Sequence, residues 1–73
     1  MRKKSNKTLR KLGKKVQKLR KGMKVSQEEL AGQLGISRVY MGYIEQGRES
    51  PSLKTLMKLA RKFKIKIEDI FHR

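Results

Sequence analysis

The stretch from Ser26 to Ser37 constrains the fold most, because it contains two helix starts and one helix end within twelve residues. Ser26 and Glu29 form a capping box, in which each side chain bonds the other residue's backbone N–H at the start of a helix. Gly35 can adopt the left-handed conformation that ends this helix, and Ser37 can cap the next one. The spacing predicts an eight-residue helix, a three-residue turn and a second short helix.

Apolar residues that recur every three or four positions predict a helix before this stretch. They are Leu9, Leu12, Val16, Leu19 and Met23. Thr8 is placed to cap this helix and Gly22 to stop it. Gly13 lies inside it, where glycine costs up to about 1 kcal/mol relative to alanine.

The segments after the central stretch predict two more helices. Gly47 can end the third helix, and Ser52, which follows Pro51, can cap a fourth. The expected apolar face of the fourth helix comprises Leu53, Leu56, Met57, Ala60 and Phe63. A last short helix would contribute Ile65, Ile67, Ile70 and Phe71. No strand of convincing length is present, so the sequence predicts a small all-α domain of five helices over residues 8–73, after a basic flexible arm over residues 1–7.

Positive charge is concentrated in the first third of the chain. The 73 residues include 21 lysines and arginines and 6 acidic residues, a net charge of +15. Residues 1–24 contain 12 of the basic residues and no acidic residue. This asymmetry favours a polyanionic partner, nucleic acid before an anionic membrane surface, over a surface that only improves solubility.

Several other classes of protein lack support in the sequence. The absence of cysteine excludes a disulfide framework and a cysteine-based zinc site, and His72 stands alone, so no metal site is expected. No apolar run approaches the roughly 20 residues of a membrane span, and the N-terminus lacks the apolar region of a signal peptide. No second carboxylate, histidine or nucleophile is placed to cooperate with Glu45 as a catalytic acid. Catalytic residues, a cofactor and enzymatic activity are therefore not predicted.

The predicted third helix, residues 37–46, has an outward face of mixed contact chemistry. On a wheel of about 100° per residue, Met41 and Ile44 point inward with Tyr40 beside them. The opposite side comprises Arg38, Val39, Gly42, Tyr43 and Gln46. Arginine can bond two guanine acceptors, valine can contact a thymine methyl group, and glycine would allow close approach to a groove. The alternative is that the exposed valine and tyrosine pack against a loop or a dimer partner.

The eight-residue helix, glycine turn and second helix have the spacing of a helix-turn-helix. Four motifs at fixed spacing make residues 19–71 resemble the Cro/cI-type (XRE) helix-turn-helix domain. They are residues 26–31 (SQEELA), 34–37 (LGIS), 44–48 (IEQGR), and 51–53 (PSL) with Leu56. The resemblance implies a compact five-helix domain of the lambda-repressor-like type, which binds operator DNA through its third helix, usually as a dimer.

The resemblance also implies roles for individual residues. Arg38, Val39 and Tyr43 match family positions that contact bases. Gln27, Gln46 and Arg48 match family positions that contact DNA phosphates. Gln27 is further implied to support the start of the recognition helix, and Arg20 and Glu45 match a pair that often forms an internal salt bridge.

Two lysines depart from the family pattern. Lys64 replaces a glycine that commonly follows the fourth helix, and costs on the order of 1 kcal/mol if its φ is positive. Lys66 replaces a small polar cap before the last helix, and it cannot accept a bond from the helix amides.

The sequence is therefore interpreted as a sequence-specific, DNA-binding transcriptional regulator, cytoplasmic and associated with the nucleoid, which represses by occupying an operator. A palindromic double-stranded operator and a second copy of the chain are the expected partners. Two alternatives stay open from the sequence: an antitoxin whose main role is to bind a toxin protein, and a non-specific cationic nucleic-acid binder.

Overall fold

The computed structural model describes residues 7–71, which contain five α-helices and no strand. In chain order they are α1 Lys7–Gly22, α2 Gln27–Leu34, α3 Arg38–Glu45, α4 Leu53–Phe63 and α5 Ile67–Ile70. The predicted all-α, five-helix fold is confirmed. Residues 1–6 of the predicted arm and His72 lie outside the described residues. Lys7, which was assigned to the arm, is the first residue of α1, so Thr8 lies inside the helix instead of capping it.

The predicted helix ends around the central turn are confirmed. Ser26 Oγ accepts a bond from Glu29 N–H at 3.0 Å, and Ser26 N–H donates to Glu29 Oε1 at 2.8 Å, which completes the capping box. Gly35, with φ of 73°, ends α2, and Ser37 Oγ accepts from Tyr40 N–H at 3.0 Å to begin α3. Only three residues therefore separate α2 from α3, and both ends of the turn are held by side-chain or backbone bonds.

All five helices contribute to one core. Its buried apolar residues are Leu12, Val16, Leu30, Ala31, Leu34, Met41, Ile44, Leu59, Ala60 and Ile70. The prediction for α4 was partly wrong, since Leu53 and Met57 are exposed and Leu59, which was not on the predicted face, is fully buried; Ala60 is buried as predicted. Thr55 also faces inward, and its hydroxyl group accepts a bond from Ser52 Oγ at 3.0 Å, so it can be buried without an unpaired polar atom. The inner face of α4 is therefore rotated away from the most apolar side of the helix.

The two lysines that depart from the family pattern occupy the backbone positions that the resemblance implied. Lys64 is left-handed, with φ of 56° and ψ of 45°, directly after α4. Lys66 precedes α5 and makes no side-chain bond to the helix amides. A third lysine, Lys24, is left-handed with φ of 60° after α1; Gly22 ends that helix, but the strained residue is two positions further on.

Replacing Lys64 with glycine is expected to stabilise the domain by up to about 1 kcal/mol, because glycine adopts a positive φ without steric cost. Denaturant unfolding of Lys64→Gly measures this gain. The matched control, Lys62→Gly in the last turn of α4, where φ is helical, should lose up to about 1 kcal/mol. A loss of stability in both variants would contradict the strain assigned to Lys64.

Candidate nucleic-acid interface

The outward side of α3 carries the residues expected to contact bases. Arg38 is exposed and Val39 is 58% exposed, both in the first turn of the helix, while Tyr43 is half-buried one turn later. Met41 and Ile44 lie fully buried on the other side and fix the rotation of α3 about its axis. The side chain of Arg38 makes no hydrogen bond or ion pair with any other described residue, so the donors of its guanidinium group are available to a ligand.

Arg48 extends this face beyond the end of α3. Its guanidinium carbon lies 4.6 Å from the centre of the Tyr43 ring, and its Nη1 donates to Gln46 Oε1 at 3.4 Å. Such a cation–π contact is worth about 0.5–1 kcal/mol at an exposed site. Tyr43 therefore orients Arg48, and the residues expected to contact bases and phosphates form one cluster. Sequence reasoning missed this contact, because the turn at Gly47 brings the two residues together.

Gly42 is buried, although the helical wheel places it on the outward side of α3. The side chains of Gln27 and Gln46 cover it: a Cβ atom at position 42 would lie 3.8 Å from Gln27 Oε1 and 3.9 Å from Gln46 Nε2. A helical wheel of α3 alone cannot account for a side chain that reaches over from α2. A duplex on this face would meet the two glutamine amides before the backbone of Gly42.

A buried salt bridge joins α1 to the end of α3. Arg20 Nε donates to Glu45 Oε2 at 2.6 Å, and Arg20 Nη2 donates to Glu45 Oε1 at 3.2 Å. Arg20 Nη1 also donates to the Val25 carbonyl at 2.9 Å. The side chain of Glu45 is 1% exposed and that of Arg20 is 11% exposed. Several bonds thus satisfy both buried charges, which is the condition under which such a pair is tolerated.

Gln27 adds α2 to this network. Its Nε2 donates to Glu45 Oε1 at 2.8 Å. The implied support of the start of the recognition helix is therefore wrong: Gln27 supports the C-terminal end of α3, because its bonding partner is the last residue of that helix. Its position at the start of α2 places it beside the outward face of α3.

Tyr40 fixes the loop that follows α3. Its hydroxyl group donates to the Ser50 carbonyl at 3.2 Å and accepts from Ser52 N–H at 3.1 Å, on either side of the buried Pro51. Sequence reasoning placed Tyr40 only beside the core. The residue type alone could have predicted a hydrogen bond from Tyr40, because a tyrosine at the edge of a core usually bonds through its hydroxyl group.

No helix within residues 7–71 has both the length and the apolar character needed to cross a membrane. No group of three or more histidine, cysteine, aspartate or glutamate side chains in the same range could hold a metal ion.

The capped α2–turn–α3 unit and the outward face of α3 define a helix-turn-helix DNA-binding domain. A family model described as "Helix-turn-helix" matches residues 16–70. The chain belongs to this family, the XRE-type helix-turn-helix proteins, and is a non-enzymatic DNA-binding transcriptional regulator.

Relatives of known sequence and structure agree with this assignment. An uncharacterized HTH-type transcriptional regulator of Archaeoglobus fulgidus is 43% identical over 56 residues, which cover 77% of this chain and 79% of the relative. Another, from Methanocaldococcus jannaschii, is 51% identical over 47 residues, which cover 64% of this chain and 71% of the relative. The crystal structure of the restriction-modification controller protein C.AhdI from Aeromonas hydrophila matches with a TM-score of 0.77 and 35% identity, over 85% of this chain and 94% of the controller.

Proposed function

We propose that the protein represses transcription by occupying a specific DNA operator, with α3 in the major groove. The observation that carries this proposal is the pair Arg38 and Val39, exposed on the first turn of α3, where recognition helices contact base edges. Arg38 would bond a guanine with two donors, and Val39 would contact a thymine methyl group. Tyr43 would add contact to a base or sugar one turn later.

Residues around α3 would hold the DNA backbone. Gln27, Gln46 and Arg48 surround the outward face and would contact phosphates, which set the position of the helix but do not select the sequence. The net charge of +15 would attract the duplex. Occupying a promoter is enough to block transcription, and no second domain is needed for it. Such a regulator would act in the cytoplasm, on the DNA of the nucleoid.

Similarity to a restriction-modification controller supports regulation by a domain of this size, because the chain covers 94% of that solved structure. The first experiment is selection of bound sequences from random duplexes. Enrichment of one consensus supports an operator-specific regulator, whereas binding without enrichment would leave only a non-specific cationic binder.

Arg38→Ala is expected to weaken binding to the selected operator by about 1–3 kcal/mol and to relax the preference at one base pair. Arg48→Ala should instead weaken binding to all sequences about equally, because a phosphate contact carries no sequence information. Affinities for operator and random duplex at two salt concentrations separate the two effects. Arg61→Ala, on α4, is the control for loss of one positive charge. A uniform loss in the Arg38 variant would show that α3 does not contact bases.

We also propose that two copies of the chain bind a palindromic operator. The support is an apolar pair on α4: Leu53 is 67% exposed and Met57 is 46% exposed, four residues apart on one side of the helix. A second copy would cover this pair. Each recognition helix would then occupy one half-site, about 34 Å from its mate.

Leu53→Glu is expected to weaken this dimer at least about tenfold, because the interface would have to bury a charge, and a tenfold change is about 1.4 kcal/mol. Sedimentation over a range of concentrations measures the change, and Lys54→Glu is the neighbouring control on α4. A monomeric mass for the unaltered protein on its operator, with a footprint of a single half-site, would exclude the dimer.

A further inference from the structure

A straight row of lysines covers the outer side of α1. Its members recur at steps of four and three residues and are all exposed: Lys7, Lys11, Lys14, Lys18 and Lys21, here called the lysine row. At 1.5 Å per residue the row extends over about 21 Å. The first 27 residues of the chain contain no acidic residue that could neutralise it.

The lysine row points away from both the core and α3. At about 100° per residue, it lies roughly opposite Leu12 and Val16, which are fully buried. It also lies about 130° around the helix from Gly13 and Arg20, the edge of α1 that packs on α3. Arg10, about 60° around α1 from the centre of the row, lies against Gly47 at the end of α3. A duplex on the outward face of α3 would approach α1 on the side of Arg10, so the lysine row, centred further around the helix, stays open to another ligand.

None of the ammonium groups of these lysines has a partner within the described residues, by hydrogen bond or by ion pair. An ammonium group is a compact point charge, which suits phosphate groups without requiring a fixed geometry. α1 contains no aromatic side chain, so it offers no surface on which unpaired bases could stack. The apolar side of α1 is buried in the core and cannot enter a membrane. These properties favour the backbone of a double helix over single-stranded nucleic acid or lipid.

We propose that the lysine row binds the phosphate backbone of a second segment of double-stranded DNA while α3 holds the operator. One bound molecule would thereby bridge two duplexes, or two segments of one duplex. This activity goes beyond operator occupancy, since it brings DNA segments together without reading the sequence of the second one. The bridging contact should depend strongly on salt, with a slope of about 0.9 for each phosphate neutralised.

The test uses the full chain bound to an immobilised operator duplex, with capture of a labelled random duplex as the readout. The row variant carries Lys11→Gln, Lys14→Gln and Lys18→Gln. The control variant carries Lys54→Gln, Lys64→Gln and Lys66→Gln and loses the same charge from exposed sites elsewhere. We expect the row variant to capture at least about tenfold less of the second duplex, with a salt slope lower by about 2.7 for three lost contacts. The control variant should capture it as the unaltered protein does.

A third variant separates the loss of charge from other effects of replacing the lysine side chains. Lys11→Arg, Lys14→Arg and Lys18→Arg together keep the charge and should keep the capture. Binding to one short operator should retain its base preference in all three variants, which separates this inference from the function of α3.

Five results would overturn the inference, and four of these concern capture of the second duplex. They are no capture by the unaltered protein at low salt, undiminished capture by the row variant, equal loss in the row and control variants, and stronger competition by single-stranded RNA than by duplex DNA. A row variant that loses its preference on the short operator would also overturn it, because the row would then belong to the operator surface.

Discussion

Glu45→Gln is expected to lower the free energy of unfolding by about 3–5 kcal/mol, because it removes one partner of a buried ion pair. The carboxylate of Glu45 receives two bonds from Arg20, at 2.6 and 3.2 Å, and one from Gln27, at 2.8 Å. Without it the guanidinium group, whose side chain is 11% exposed, stays buried without a counter-charge. Denaturant unfolding measures the loss, and the exposed Glu49→Gln, which changes the net charge equally, should stay within about 0.5 kcal/mol.

A double variant shows how much of this loss comes from the charge that is left behind. Arg20→Met with Glu45→Met removes both charges and retains apolar volume, so it should be less destabilised than the two single variants together. If Glu45→Gln costs no more than Glu49→Gln, the salt bridge does not hold α1 against α3. The operator affinity of the folded variants then reports whether this network also positions the recognition helix.

The ends of the helices could be predicted from the sequence because caps act over three or four residues. Ser26, Ser37 and Ser52 each accept the predicted type of bond from the amide three residues later. The inner face of α4 could not be predicted in this way. Periodicity ranks residues by apolar character, whereas packing against the other helices selects Leu59 and Thr55 and leaves Leu53 exposed.

The candidate site was predictable where one helix determines it. Arg38 and Val39 point outward because Met41 and Ile44 must point inward. The remaining features depend on contacts between elements that a wheel of α3 does not contain. Gly42 is covered by a side chain from α2.

The contact of Arg48 with the Tyr43 ring depends on the turn that follows α3. It requires the left-handed conformation of Gly47, whose φ is 75°. A glycine at that position predicts the end of the helix, but not which side chains meet beyond it. The roles of Arg48 and Tyr43 in DNA binding stay predictions. Because the two side chains are in contact, a substitution of one also changes the surroundings of the other.

Gly13 has a larger role than its residue type suggests. A Cβ atom at this position would lie 2.5 Å from the Glu45 carbonyl oxygen and 2.6 Å from the Ile44 carbonyl oxygen. These are backbone atoms of the last turn of α3, so no side-chain rotation can relieve the overlap. In the sequence Gly13 only weakens a helix, whereas in the fold it allows α1 to cross α3 at a distance that lets Arg20 reach Glu45.

Gly13→Ala is therefore expected to destabilise the domain by about 1–3 kcal/mol or more, despite the higher helix propensity of alanine. Gly32→Ala is the matched control: Gly32 is also helical, but a Cβ atom there meets nothing within 4 Å, so the substitution should stabilise by about 0.4–1 kcal/mol. If denaturant unfolding shows that Gly13→Ala lowers the free energy of unfolding and Gly32→Ala raises it, the result supports the close crossing of α1 and α3. If Gly13→Ala stabilised the protein as Gly32→Ala does, α1 and α3 would lie further apart in solution, and the Arg20–Glu45 pair could not be what fixes the recognition helix.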